Sequence, residues 1–333
     1  MTLKYIQIEP ISRCNQRCFF CPVSTGDRGK EPLPQARLER IIAELQSRNI
    51  EMVAISGFTE PSHDPDLVVK IAALRAAGLA VHIFTNGSNL KPALVDRLLA
   101  LGVERFIVNL STLDEQEYEQ TRGTKDLKRV RPNLDYLVKQ SAADGGSLAV
   151  EIVVIGQLDL KHANNLRAIN AAYSARATVS IMPMLEFAAE GYAVYPDRPH
   201  LDRLQGCLWQ RDTEWLHINA DGNAILCCRD YDAKYVLGNV DEHSLDELLD
   251  AQRMQQWRRW VDGCEEAPAD FICRDCLGAL RPDHAGFLKA FYCNRCELPQ
   301  ALGPENACPH CRDVGHTIAY LNEHGQAQGA TAT

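Results

Sequence analysis

The placement of cysteine in this chain calls for a chemical explanation. Thirteen occur in 333 residues: three between positions 14 and 21, none between 22 and 206, and ten between 207 and 311. The first group reads Cys14-Asn-Gln-Arg-Cys18-Phe-Phe-Cys21 and follows the first strand-like run. Three thiolates so close together match three irons of a [4Fe–4S] cube and leave the fourth iron open to a substrate or cofactor. A closed electron-transfer cluster needs a fourth cysteine nearby, and residues 22–206 hold none. A zinc ion on three cysteines and a further ligand is the alternative.

At the far end, Cys293-Asn-Arg-Cys296 and Cys308-Pro-His-Cys311 form two Cys-x2-Cys knuckles. Four thiolates in that pattern build a tetrahedral site, with Zn2+ the default metal and a single rubredoxin-like iron the alternative. Zinc there would fold a segment too small to hold itself together.

Composition supports metal over disulfides. Hydrophobic residues make up 46% of the chain and charged residues 24%, an ordinary globular balance. The net charge of −9 argues against a bulk electrostatic grip on nucleic acid or anionic membrane. The opening MTLKYIQIEP lacks the apolar core of a signal peptide, and no run approaches the ~20 apolar residues of a membrane span. The expected setting is a reducing cytoplasm, where structural disulfides are rare.

Regular elements must position these thiols. Strand-like runs at Tyr5–Ile8, Met52–Ile55, Val81–Phe84, Phe106–Leu110, Leu148–Ile155 and Thr178–Met182 are separated by amphipathic stretches, among them Gln35–Arg48, Pro65–Ala77, Lys91–Leu101 and Leu127–Ala143. The alternation predicts βαβ units and a parallel sheet, either doubly wound or an open barrel. In both, ligands gather at the C-terminal ends of the strands, where Cys14–Cys21 fall. Asp64 before Pro65 reads as a helix N-cap, and Gly78 and Gly102 as helix stops. After about residue 200 the pattern changes to a hairpin, Trp215–Asn219 and Ala224–Cys227 around Ala220-Asp221-Gly222-Asn223, then a helix at Ser244–Val261 capped by Asp241 or Ser244.

The Cys-x3-Cys-x-aromatic-Cys motif after a first strand resembles the signature of the radical S-adenosylmethionine (SAM) superfamily. Ile8-Glu9-Pro10-Ile11-Ser12-Arg13-Cys14-Asn15 is similar to the branch with twitch or SPASM extensions. The resemblance covers Tyr5–Met184. It implies an α/β fold, a partial (β/α)6 open barrel of parallel strands. It also implies a [4Fe–4S] cluster on Cys14, Cys18 and Cys21, whose open iron chelates SAM and cleaves it to a 5′-deoxyadenosyl radical. Ser56-Gly57-Phe58-Thr59-Glu60-Pro61 resembles the family's Gly-Gly-Glu segment, with only Gly57 and Glu60 matching, and is implied to receive the methionyl ammonium. Phe20 matches the position that packs on adenine. Asn109 and Ser111 fall in the region that binds ribose or carboxylate, and Thr85 closes the third strand. Arg122 is expected either at the SAM carboxylate or in a surface ion pair.

Cys207-x14-Gly222-x4-Cys227 with the later Cys273-x2-Cys276 resembles the twitch or SPASM extension. That resemblance implies an auxiliary [4Fe–4S] cluster on Cys207, Cys227, Cys273 and Cys276, closed by four thiolates and suited to relay one electron. The spacings of a second auxiliary cluster are missing after Cys276, so the shorter twitch form fits. Cys228 and Cys264 are left over, as packed or exposed thiols, substitute ligands or hydrogen-atom donors. The expected division is a radical SAM core at 1–200, an auxiliary domain at 201–284, a zinc-ribbon or rubredoxin-like segment at 285–322 and a tail at 323–333.

Three functions compete. An oxidoreductase would send the second electron to the auxiliary cluster, dehydrogenating an aminocyclitol or sugar-like molecule as known twitch enzymes do. A peptide maturase or epimerase is the alternative, and a metal-bound redox sensor without turnover is the reading from another class. By analogy with the superfamily, a flavodoxin or ferredoxin supplies electrons. Glu151, Glu186, Glu190 and Tyr192 lie near strand ends, and none is singled out as a general base.

Overall fold

The computed structural model describes residues 3–24, 31–143, 148–156, 160–183 and 200–281. Cys293, Cys296, Cys308 and Cys311, with Glu186, Glu190 and Tyr192, lie outside the described residues.

Six strands, β1 (Tyr5–Ile8), β2 (Met52–Ile55), β3 (Val81–Thr85), β4 (Arg105–Leu110), β5 (Ala149–Gly156) and β6 (Thr178–Pro183), pair in parallel and in sequential order. A doubly wound sheet reverses its order at a switch point; this one never does. Right-handed crossovers then place all the connecting helices on one face, and the sheet curls into an open, partial (β/α)6 barrel. The helices are α1 (Gln35–Leu45), α2 (Leu67–Ala76), α3 (Pro92–Ala100), α4 (Glu115–Arg122), α5 (Leu127–Ala143) and α6 (Leu160–Tyr173).

Strand alternation sorts the side chains between two faces. Ile6, Ile8, Val53, Ile55, Val81, Ile83, Phe106, Val108, Leu110, Ile152 and Val154 join the helix side chains in the main core. The opposite parity, including Gln7, His82, Phe84, Ile107, Asn109, Val153 and Ile155, faces the inside of the barrel.

The sheet does not stop at the barrel. β7 (Trp215–Ile218) pairs in parallel with the free side of β1, and β8 (Asn223–Ile225) and β9 (Val236–Asn239) follow antiparallel. One nine-stranded sheet therefore runs through both cysteine-rich regions.

Several local expectations need correction. The helix placed at Pro65 starts at Leu67 instead, after a 3-10 turn at Pro61–His63. Asp64 accepts from Asp66 N at 3.0 Å and pairs with buried Lys70, so its carboxylate is used away from a helix N-cap. The helix at Ser244–Val261 is two, α7 (Leu245–Asp250) and α8 (Gln252–Val261), broken where Ala251 adopts ψ 135°. Ser244 caps α7 in a reciprocal capping box with Glu247, while Asp241 binds Arg37. Gly78 and Gly102 do end α2 and α3, each at φ +78°. Helix α6 fills the crossover that the alternation implies between β5 and β6, whereas α4 and β9 have no counterpart among the stretches read from the sequence. α4 nevertheless carries legible end signals: Asp114 accepts from Glu117 N at 2.7 Å, and Gly123 closes the helix in the left-handed region.

Candidate active site

The loop Cys14–Cys21 leaves the C-terminal end of β1 and is clamped by α4. Arg17 N donates to Arg122 O at 2.9 Å and Phe19 N to Thr121 O at 3.3 Å. Gln16 Nε2 donates to the phenol oxygen of fully buried Tyr118 at 2.6 Å. Asn15 donates to Asp126 Oδ2 at 2.8 Å and to Ser88 Oγ at 3.0 Å, and accepts from Asn86 Nδ2 at 3.0 Å. The same Asn86 amide points at Cys14 Sγ from 3.7 Å.

Cys18 is buried, and Cys14 and Cys21 are half-buried. Burial pushes the Cys21 thiol up to about 12 and Cys14 well above the ordinary thiol range, where the Glu60 carboxylate adds to the effect. Each of these two thiols also feels its neighbouring cysteines. Crowded thiols in such a setting stay protonated at neutral pH unless a cation binds them. The donor set fits a thiolate-held iron–sulfur cluster, which Cys14, Cys18 and Cys21 would hold.

Glu60, expected at the SAM ammonium, is 1% exposed and already engaged. Its Oε1 accepts from Ser62 N at 3.1 Å, Ser62 Oγ at 2.5 Å and Thr85 Oγ1 at 2.6 Å, and Oε2 accepts from Asn86 N at 2.6 Å. It ties the end of β2 to the end of β3, with one lone pair on Oε2 left over. The Thr85 hydroxyl supports this arrangement: it donates to Glu60 and accepts from Gly87 N at 3.0 Å.

Gly57 has φ +122°, and a Cβ there would lie 2.3 Å from Glu9 Cγ. The glycine makes room for buried Glu9, which accepts from Phe58 N at 2.7 Å. Nothing in the sequence around Cys14 marks Glu9 for this role. Its apolar flanks hid that a carboxylate at the end of β1 needs a partner in the β2 loop.

Arg122 is 3% exposed, which excludes the surface ion pair. Its guanidinium donates to Ser111 Oγ at 2.8 and 3.1 Å, reaches Cys18 Sγ at 3.8 Å and lies 5.4 Å from the centroid of the Phe20 ring. Three residues expected at SAM, Phe20, Ser111 and Arg122, are thus brought together beside Cys18. Phe20 packs with Ile107, Val153 and Ile155 inside the barrel. Asn109 shares that parity on β4 and is half-buried. A cleft of about 180 Å³ opens alongside, lined in part by Phe19, Ser111, Glu117 and Ile155.

A second thiol group assembles around β8. Cys207 forms a β-bridge with Ala279, Cys227 follows β8, Cys273 lies within a 3-10 turn at Ile272–Asp275 and Cys276 caps its end. All four pack around a small core of Leu204, Leu226, Met254, Trp257 and Phe271. Burial pushes Cys207 up to about 12 and Cys273 well above its usual range, and the thiols raise one another further. Cys276 Sγ accepts from buried Arg229 at 3.0 Å and from Gly278 N at 3.3 Å, donors suited to a thiolate. This set fits a four-thiolate cluster. Cys264 is exposed, whereas Cys228 is half-buried next to Cys227.

Comparison with known proteins agrees with this geometry. The radical SAM superfamily model matches residues 8–166, and the SPASM model, an iron–sulfur cluster-binding domain, matches residues 207–277. A probable GTP 3′,8-cyclase of Pyrococcus abyssi is 27% identical over 134 residues, 40% of this chain and 43% of that protein. The match thus spans less than half of that cyclase. The S-adenosyl-L-methionine-dependent 2-deoxy-scyllo-inosamine dehydrogenase of Niallia circulans is 21% identical over 276 residues, 81% of this chain and 91% of that one.

Among solved structures, SuiB of Streptococcus suis bound to S-adenosylmethionine aligns with TM-score 0.61 and 16% identity, covering 77% of this chain and 68% of that one. Native anSMEcpe with bound AdoMet aligns with TM-score 0.60 and 12% identity, covering 96% and 97%. BtrN in complex with AdoMet and 2-DOIA aligns with TM-score 0.53 and 17% identity, covering 79% and 89%. At these identities the likeness establishes the fold alone. With the thiol geometry and the two domain matches, it leads to one conclusion: this chain belongs to the radical SAM superfamily, an enzyme whose barrel is joined to a SPASM-type iron–sulfur domain.

Proposed function

We propose that this enzyme is an oxidoreductase that dehydrogenates a small, hydroxyl-bearing molecule of the aminocyclitol or sugar class. The observation that carries the reading is the second thiol site, half-buried Cys207, Cys227, Cys273 and Cys276, packed beside the same sheet that carries the Cys14 loop. A closed cluster there suits one-electron transfer, which a dehydrogenation needs after the first hydrogen atom is removed. The Niallia circulans dehydrogenase, matched over most of both chains, supports the same class.

When bound, the Cys14 cluster and SAM supply the 5′-deoxyadenosyl radical that removes a substrate hydrogen atom. The chain's own residues position and shield. Arg122 and Ser111 offer a cation and a hydroxyl to the SAM carboxylate. Phe20 offers an aromatic face to adenine, Asn109 lies at the ribose end, and Glu60 has one Oε2 lone pair for the ammonium. Gly57 and Thr85 hold Glu9 and Glu60 in place. Ile107, Val153 and Ile155 give the interior an apolar wall that excludes water from a reactive carbon. A flavodoxin or ferredoxin would serve as reductant in a cytoplasmic setting. Cys293, Cys296, Cys308 and Cys311 would hold Zn2+ or a single iron.

Anaerobic reconstitution tests the reading. Two cubes predict about eight irons per chain, with one zinc if the terminal site binds zinc. SAM and dithionite should yield 5′-deoxyadenosine, lost in Cys14→Ala. A panel of aminocyclitols should include a compound that loses two hydrogens per SAM consumed. Deoxyadenosine with a redox-neutral or peptide product would move the assignment to an epimerase or maturase. Neither deoxyadenosine nor product would leave the sensor.

A further inference from the structure

His217 sits within β7 with no exposed surface, and neither ring nitrogen has a hydrogen-bond partner. Burying a polar group unpaired costs free energy, and buried polar groups in native proteins are nearly all hydrogen-bonded. Burial and the nearby Arg211 charge hold the imidazole neutral, so the ring carries one N–H and one lone pair. Its neighbours fix its orientation. The ring stacks on Trp215 with centroids 5.7 Å apart and 2° between planes, and the Arg211 guanidinium lies 3.9 Å from the centroid of the Trp215 ring. Two sulfurs stand close by: a ring nitrogen of His217 and the Sγ atoms of Cys227 and Cys228 all lie within 4.8 Å of one another.

Four cysteines give each iron of an auxiliary cube one thiolate, so no iron is left for an imidazole. A donor role remains open. A thiolate is a stronger acceptor than a thiol, and a neutral N–H satisfies it without adding charge. Of the two sulfurs near His217, Cys227 is the one assigned to the cluster, and it is therefore the better acceptor. Cys276 has the same kind of provision, accepting from Arg229 at 3.0 Å and from Gly278 N at 3.3 Å. Hydrogen bonds to the sulfurs help to set a cluster's reduction potential, because they stabilise the more negative, reduced state.

We propose that His217 is a positioning residue of the auxiliary site: it donates its N–H to the Cys227 sulfur and raises the potential at which the cluster takes up the second electron. This rests on the reading of Cys207, Cys227, Cys273 and Cys276 as cluster ligands. The test uses the full-length chain with Cys14, Cys18 and Cys21 replaced by alanine, so that the auxiliary cube is the one left to form. After anaerobic reconstitution, its potential is read by redox titration with electron paramagnetic resonance. His217→Phe should keep about four cluster irons. At a fixed potential it should shift the oxidised-to-reduced ratio about tenfold toward the oxidised form, which is about 59 mV for one electron. His217→Gln keeps an N–H and should recover part of the shift. The iron-free His217→Phe chain should unfold no earlier in urea than its parent, since an apolar ring replaces an unpaired imidazole. A full cube whose ratio moves by less than about threefold would overturn the proposal and leave the auxiliary cluster standing. No cube in the parent would overturn both. If His217→Phe fails to fold, the parent labelled with 15N in histidine decides: pulsed electron paramagnetic resonance should show a weakly coupled histidine nitrogen, and its absence would overturn the proposal.

Discussion

Arg122 is a buried cation with no carboxylate at ion-pair distance among the described residues. Removing such a charge from water costs several kcal/mol. The offsets are two charged hydrogen bonds to Ser111, each about 1.5–3 kcal/mol, and a cation–π contact with Phe20 of about 0.5–2 kcal/mol. These nearly balance. Arg122→Met keeps the length and removes the charge, so the metal-free protein should change by no more than about 1–2 kcal/mol.

A bound carboxylate changes that balance. Two unit charges in contact at an effective dielectric of about 20 attract by ~4 kcal/mol, nearly three decades of affinity. SAM binding to anaerobically reconstituted Arg122→Met should weaken roughly 10²–10³-fold at unchanged iron content, and Arg122→Lys should recover part of it. Titration calorimetry with SAM and urea unfolding of the metal-free proteins read the two effects separately. If SAM affinity stays within about threefold while the metal-free variant loses more than ~3 kcal/mol, Arg122 is a strut for Ser111 and Cys18, and its assignment to SAM is wrong.

Three further outcomes are expected. Glu60→Ala strands the Ser62 and Asn86 backbone N–H groups and should cost the metal-free protein about 2–6 kcal/mol, a loss that a residue serving SAM alone would not show in thermal melts. Gly57→Ala should cost about 2–4 kcal/mol from its φ of +122° and the overlap with Glu9, and combining it with Glu9→Ala should relieve the overlap but not the backbone strain. Burial pushes the Asp212 carboxyl up to about 6, so the folded state holds a proton that the unfolded state releases near 3.9. Relative to Asp212→Asn, the metal-free protein should lose on the order of 3 kcal/mol as pH rises from about 4 to about 6 and stay level above that, as measured by urea titrations across pH.

Much of the barrel was legible because its strands are short apolar runs between amphipathic helices. Tyr5–Ile8, Met52–Ile55 and Leu127–Ala143 form with the bounds expected of them. Barrel and doubly wound sheet could not be told apart, since both alternate strand and helix; only the pairing order separates them. α4 escaped notice because Glu115–Arg122 is polar and short, with Tyr118 its one large apolar residue. Yet α4 supplies Arg122 and the clamp on the Cys14 loop. The thiol sets were visible as spacings. The supporting contacts were not, because Glu9 with Gly57, Glu60 with Asn86 and Gln16 with Tyr118 join residues far apart in sequence.

The continuity of the sheet argues that the auxiliary segment is part of the barrel's stability rather than an appended module. Leu216, Ile218, Val240, Leu245, Leu248 and Leu249 belong to the same core as the first six strands. At about 1.5–3 kcal/mol each, their burial is on the order of 10 kcal/mol, comparable with the whole stability of a domain. The polar latch along α1 is secondary: Arg37 and Arg48 pair with exposed Asp241 and Asp246, and surface pairs contribute about 0–1 kcal/mol. Deleting residues 207–333 would also strip β7 from β1 and leave β1 as a raw edge. The truncated chain should therefore be insoluble or lack a cooperative unfolding transition, even with the Cys14 cluster reconstituted. A soluble truncation that unfolds cooperatively and still binds SAM would show that the barrel closes without β7. Position and electron transfer would then depend on a docking surface rather than on a shared sheet.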